Sequence, residues 1–198
     1  MKLYYATPSP YSAKVRMAAY HIGLDYEPVP TKTGPDAAEL MAANPLGKIP
    51  TLVLPDGTAV YDSRAIMQEL NRQVRNGLFP SLHAKRQAAE RLEALADGMC
   101  DAMLAIVYDR RMRPEEKQHE PWQETQWEKV ERALNELERN PPRVTSRLHG
   151  GHFALAAALG YAELRHADRN WSRGRPKLRR FLNRFAQTFP AWEDLRPH

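Results

Sequence analysis

The 198-residue sequence predicts two parts in series, a small α/β domain with a mixed sheet and then an all-helical domain. Two observations carry this. Strand-like and helix-like pieces alternate through residues 1–75 in the order βαβ, α, ββα, the pattern of a mixed sheet with a right-handed crossover between its first two strands. After Pro80 the strand-like pieces stop, and apolar residues recur only at helical spacing. The expected domains are 1–77 and 82–198, joined through Leu78–Ser81.

The elements follow in order. Lys2–Ala6 reads as a buried strand. Pro10–Ile22 reads as a helix with Val15, Ala18, Ala19 and Ile22 on one face, ended by Gly23. Tyr26–Thr31 is a second extended piece, made ragged by Pro28 and Pro30. Asp36–Ala43 is a short helix with an acidic start. Thr51–Leu54 and Thr58–Tyr61 flank Pro55-Asp56-Gly57, a hairpin turn in which Pro fixes φ and Gly permits φ > 0. Ser63–Val74 is the next helix.

In the second part, Ala88, Leu92, Leu95, Met99, Met103 and Ile106 mark a long helix over Ser81–Arg110. Pro114-Glu115-Glu116 looks like a helix start, with Pro121 restarting or kinking it. Trp127, Val130, Leu134 and Leu137 form the next stripe, stopped by Pro141-Pro142. The run "FALAAALGYAEL" is apolar nearly all round and predicts a central, buried helix. Leu178, Phe181, Leu182 and Phe185 make the last stripe.

Composition narrows the function classes. Hydrophobic residues make up 42% of the chain, enough for a packed core. No apolar run reaches membrane-span length, and the first residues lack the apolar region of a signal peptide. One cysteine, Cys100, excludes an intrachain disulfide and suits a cytoplasmic protein. It reads as a buried apolar thiol beside Met99 and Met103. No Cys/His cluster has metal-ligand spacing and no Gly-rich phosphate loop is present. The net charge is +5, and "RHADRNWSRGRPKLRRFLNR" holds eight Lys/Arg against Asp168 alone. Without a nucleic-acid motif beside it, that stretch reads as a solvated helix face rather than a nucleic-acid surface.

Three short stretches point to a ligand. "SPYS", residues 9–12, lies at the first strand-to-helix turn, where a redox protein would carry Cys-Pro-Tyr-Cys. Both sulfurs are replaced by hydroxyls. Ser9 precedes Pro10, the favoured first residue of a helix, and is a natural N-cap. Free N–H groups and the helix dipole favour an anion there. "NPLGKIPT", residues 44–51, puts Ile49-Pro50 before a strand. A cis bond would turn the Ile49 backbone outward to pair with an extended peptide, whereas a trans Pro would simply start the strand. Asp62-Ser63 follows the last strand and opens a helix that Ser63 can cap. An acid beside free N–H groups suits the ammonium and carboxylate of an α-amino-acid head group.

Taken together, "SPYSAKVR", "NPLGKIPTL" and "YDSRAI" resemble the cytosolic glutathione S-transferases in order, spacing and context. "QWEKVERALNELE" and "HFALAAALGYAEL" resemble the bacterial members. The resemblance implies a thioredoxin-like first domain and an enzyme that transfers glutathione to a small electrophile, with glutathione-dependent disulfide or peroxide reduction or isomerisation, or a non-catalytic glutathione-binding module, as the alternatives on the same scaffold. It implies that Ser9 hydrogen-bonds the glutathione sulfur, with Ser12 as the alternative activating group. Ile49, before a cis Pro50, would pair with the cysteinyl part. Lys48 would lie near the glycine carboxylate, and Asp62 and Ser63 would hold the γ-glutamyl head group. Asp62 stands where the family commonly has Glu. The electrophile would sit between the domains, with Tyr11, Tyr108, Arg111 and Met112 as candidate walls. The resemblance also implies a homodimer, with Gln68, Arg72 and Arg75 of one chain facing the long helix of the other, and no metal, membrane or nucleic acid. One departure stands out. The family's central helix often begins Ser/Thr-x-x-Asp, and His149-Gly150-Gly151-His152 stands there.

Overall fold

The structure is a computed structural model that describes residues 1–74 and 77–198. Arg75, expected at a dimer face, lies outside the described residues. Four short strands form one sheet in the order β2-β1-β3-β4: β1 (Lys2–Tyr5), β2 (Glu27–Pro30), β3 (Thr51–Val53) and β4 (Ala59–Val60). β1 pairs with β2 in parallel and with β3 antiparallel, and β3 pairs antiparallel with β4. α1 (Pro10–His21), α2 (Ala38–Ala43) and α3 (Ser63–Gln73) complete the α/β part. The expected hairpin is present, with Gly57 at φ 86°.

The helical part holds α4 (His83–Met112), α5 (Glu120–Arg139), α6 (Gly150–Arg165), α7 (Pro176–Thr188) and α8 (Trp192–Leu195). α6 is the centre, with every residue from Gly150 to Ala162 buried. Alanines and glycines let neighbours approach it closely. A Cβ on Gly150 would strike the Phe79 ring, and one on Gly151 would strike the Ala89 carbonyl of α4. Those two approaches account for glycines where a capping sequence was expected. Part of the capping survives in another form, since the His149 N–H donates to His152 Nδ1 at 3.2 Å.

One expected stripe is displaced. At the start of α4, Ala88 is exposed and Leu92 and Leu95 are half-buried. The buried face there is instead Ala89, Glu93, Ala96, Asp97 and Cys100. Met99, Met103 and Ile106 are buried as expected. The stripes on α5 and α7 are also buried as read. Among the described residues, no helix is long and apolar enough to cross a membrane.

Candidate functional site at the sheet edge

Strand register gathers the three motifs. Tyr4 lies opposite Thr51, so β1 ends where β3 begins. Leu52 lies opposite Val60, so β4 ends at that same edge. Ser9 follows β1, Ile49-Pro50 precedes β3, and Asp62-Ser63 follows β4. The start of α1 and the start of α3 therefore share one end of the sheet with the loop before β3. Two helix N-termini direct positive dipole ends there.

Each expected residue has a definite setting. Ser9 is the N-cap of α1, and its hydroxyl accepts the Ser12 N–H at 3.2 Å. A hydroxyl that accepts keeps its own hydrogen free to donate. Ser12 is fully buried and accepts the Ala6 N–H at 3.4 Å. The Ile49–Pro50 peptide is cis, and Tyr61–Asp62 is also cis. Asn44 and Thr51 side chains fasten this loop by donating to the Lys48 carbonyl, at 3.0 and 2.8 Å. Ile49 is half-buried, Pro50 buried and Lys48 exposed. Among the described residues the Ile49 backbone groups have no partner, which leaves both for a ligand.

The expected cap of α3 needs correction. Asp62, not Ser63, is its N-cap, with extended backbone and a carboxylate that accepts the Arg64 N–H at 3.0 Å. Asp62 reaches over the first turn because it precedes the helix, and Ser63 becomes the first helical residue, buried. Asp62 is exposed, and one of its two carboxylate oxygens accepts that N–H.

Beneath this edge lies a charged seam that the motifs did not reveal. The Lys14 ammonium is 1% exposed and donates to Glu93 at 3.0 Å and to both oxygens of Asp97 at 2.9 Å. Arg64 Nε donates to Asp97 at 3.0 Å, and its guanidinium reaches Asp101 at 3.8 Å. Tyr11 donates to Asp101. Burial pushes the Glu93 carboxyl up, with Lys14 pulling it back. Burial, then neighbouring negative groups including Asp101, pushes the Tyr11 phenol up. The signal for this seam was in the sequence: Glu93, Asp97 and Asp101 recur every four residues, in phase with buried Ala89 and Ala96.

The candidate walls divide. Tyr11 bridges to Asp101 of α4, and Tyr108 and Met112 stand two and three turns further along the same face, 46% and 70% exposed. At about 100° per residue, Arg111 is turned roughly 80° from that face. Tyr11, Tyr108 and Met112 thus share a side and Arg111 does not. Cys100 is buried, and burial raises its thiol well above the usual value, which fits an inert core thiol. Among the described residues no three His, Cys, Asp or Glu side chains group as a metal would need.

Comparison with known proteins identifies the scaffold. Residues 8–73 match the glutathione S-transferase N-terminal domain and residues 120–184 the C-terminal domain. A GST-like protein of Escherichia coli K12, YibF, is 30% identical over 96% of this chain and 98% of its own length. The chain belongs to the glutathione S-transferase family. Its thioredoxin-like α/β part and helical part are the two parts of that fold. A glutathione S-transferase from Methylobacillus flagellatus KT, solved with glutathione bound, superposes with TM-score 0.91 at 35% identity, covering 100% of this chain and 99% of that one. A glutathione transferase family member from Pseudomonas fluorescens Pf-5, also solved with glutathione, gives TM-score 0.90 at 34% identity over 100% and 98%.

Proposed function

We propose that the protein binds glutathione at the sheet edge and transfers its thiolate to a small electrophile. One observation supports this above the rest: the unpaired Ile49 backbone lies between two helix N-termini at the shared strand ends. In this reading the Ile49 N–H and C=O pair with the cysteinyl residue, as an added strand would. Asp62 takes the γ-glutamyl ammonium, and Ser63 with its N–H takes the carboxylate. Lys48, exposed on the same loop, meets the glycine carboxylate. Glutathione bound in the two solved relatives supports glutathione as the ligand.

Ser9 supplies the chemistry. A free thiol has a pKa near 8.5, so little is thiolate at neutral pH. Donation from the Ser9 hydroxyl, aided by the α1 dipole, favours the thiolate. Lowering that pKa by two units takes about 2.7 kcal/mol, the size of one charge-assisted hydrogen bond plus a dipole contribution. The thiolate then attacks the electrophilic carbon. A C–S bond forms as the leaving group departs with its bonding electrons. Tyr11, Tyr108 and Met112 wall the electrophile. Ser12, fully buried, is the weaker candidate for activation.

The working form in this reading is a cytoplasmic homodimer. Leu46 and Leu82, 66% and 60% exposed, are apolar surface that a partner would cover. Gln68 and Arg72 have partners within the chain, Arg86 and Glu69, so they would meet a partner as already paired groups. Calorimetric titration with glutathione tests the site, and aryl halide, disulfide and hydroperoxide panels test the reaction. Saturable binding with aryl halide turnover is the expected result. Absence of binding rejects the site, and binding with turnover only of disulfide or peroxide rejects conjugation.

A further inference from the structure

The late basic stretch is not one solvated face. Of its eight cations, three are committed within the protein. Arg169 pairs with Glu124, Arg175 with Glu131 and Asn135, and Arg179 with Glu163. Lys177, Arg180 and Arg184 are different. They line a cleft of about 340 Å³ between α7 and the segment after α5, where Arg143 joins them. Phe181, Val144 and Pro142 form its apolar lining. No acidic residue lines it, and none of the four cations is in an ion pair among the described residues. Glu138 is the nearby carboxylate, and it is already engaged, accepting the Lys177 and Leu178 N–H groups at 3.0 and 2.9 Å. Four cations less one carboxylate leave a local surplus of three positive charges.

We infer that this cleft binds a small organic polyanion, one that carries two or more negative charges beside an apolar ring, as a nucleotide does. The charge argument selects the valence. Four like charges around one cleft repel one another, and a monoanion would leave most of that repulsion in place. Three of the four are arginines, whose planar forks match phosphate oxygens in pairs. Half-buried Pro142 and Val144, lying over the buried Phe181 ring, offer an apolar surface to a ring system. The volume falls in the small-molecule range of roughly 300–1,000 Å³. The floor is also held in place. The His152 ring lies 6.1 Å from the Phe181 ring and stacks on His149. A second cleft of about 330 Å³, beside Arg16, has Asp25 among its lining residues and lacks this surplus.

Calorimetry on the full chain, saturated with glutathione to fill the sheet-edge site, tests the inference with three probes. ATP should bind more tightly than tripolyphosphate, and adenosine least. The double variant Arg180→Gln/Arg184→Gln, both exposed side chains, should weaken ATP at least about tenfold. Lys129→Gln/Arg132→Gln makes the same charge change on the exposed face of α5 and should leave ATP within about twofold, remote charges being screened. Amide shifts in the unmutated chain should concentrate at Val144, Lys177 and Phe181. The inference is overturned if millimolar ATP gives no saturable heat, or if both double variants lose affinity alike. Tripolyphosphate binding as tightly as ATP removes the ring. A long DNA duplex displacing ATP, more tightly as it lengthens, makes the patch a polyelectrolyte surface instead.

Discussion

The charged seam and the sheet-edge site above it are built from neighbouring residues, Lys14 near Ser9 and Arg64 beside Ser63, yet they treat polar groups in opposite ways. At the heart of the seam the charged groups are paired and buried: Lys14, Glu93 and Asp97 are 1%, 5% and 2% exposed. At the edge, Asp62 and Lys48 are exposed and the Ile49 backbone is unpaired among the described residues. A buried ion must find its partner inside the fold, because its desolvation is not otherwise offset. A site that must take a ligand keeps its groups incomplete. Damage to the seam should therefore appear as lost stability, and damage to the edge as lost binding or turnover.

Lys14→Met breaks the comparison hardest. It leaves Glu93 and Asp97 side by side with only the half-exposed Arg64 between them. Removing one partner of a buried pair typically costs about 3–5 kcal/mol. Urea unfolding should show that loss, and Lys14→Met/Glu93→Leu/Asp97→Leu should recover part of it. A single variant as stable as the parent would mean that the seam is not carrying paired buried charge.

The stacked pair His149 and His152 extends the buried side of the comparison to pH. Burial holds His149 down to about 4, and burial, then the neighbouring His149, holds His152 down to about 3. Both are neutral in the folded chain at pH 7. On unfolding they regain an ordinary pKa of about 6.5 and take up protons below it. Their contribution is thus complete above about pH 6.5 and is lost as the pH falls toward 4 and 3, by about 1.4 kcal/mol per pH unit for each ring. His152→Gln keeps an acceptor for the His149 N–H and removes one titration. Unfolding free energies at pH 7, 6 and 5 should fall less steeply in that variant, with His21 and His166, both also lowered by desolvation, supplying part of the slope that remains. An unchanged slope would place the acid sensitivity elsewhere.

How far the sequence reached divides along the same line. The sheet, the α6 centre and the α5 and α7 stripes were legible because period and turn residues report burial directly. The sheet-edge motifs were legible because caps, Pro and Gly have few alternative uses. The seam was not, because Lys14 looks like any surface lysine until α4 is placed over it. The acids at 93, 97 and 101 share their helix with an apolar spacing at 88, 92 and 95 that competes as a core stripe, and the structure leaves Ala88 exposed and Leu92 and Leu95 only half-buried. The cap of α3 was assigned one residue late, since Asp and Ser are equally good N-caps and only backbone geometry separates them. For the late cations, sequence alone could not tell the three that pair from the three that line a cleft.

Asp62→Ala tests the edge itself. It should weaken glutathione by roughly 10- to 150-fold, the usual loss for one charge-assisted contact. The variant also removes the cap at Arg64, so melting temperature should drop as well. Asp62→Asn separates the two roles, since an amide oxygen still caps but carries no charge. Calorimetry should find weak binding in both variants, and melting should find only the alanine destabilised. Parental affinity in Asp62→Asn would remove the ammonium contact from the site.

Ser9→Ala should have the smallest effect on binding and the most specific effect on chemistry. It takes away a hydroxyl donor but leaves Ile49, Asp62 and Ser63 in place, so glutathione affinity should change little. Turnover should fall about 10- to 100-fold, matching a loss of roughly 1.4–2.7 kcal/mol in thiolate stabilisation. The same hydroxyl accepts the Ser12 N–H, so the variant also loses a helix cap, and a lower melting temperature alone would say nothing of catalysis. The thiolate absorbance of bound glutathione decides. It should titrate at higher pH in the variant if the hydroxyl donates to sulfur. A titration that does not move, with melting lowered, would leave Ser9 as a cap and pass activation to the N–H groups at the start of α1, which the dipole makes the next strongest donors to an anion.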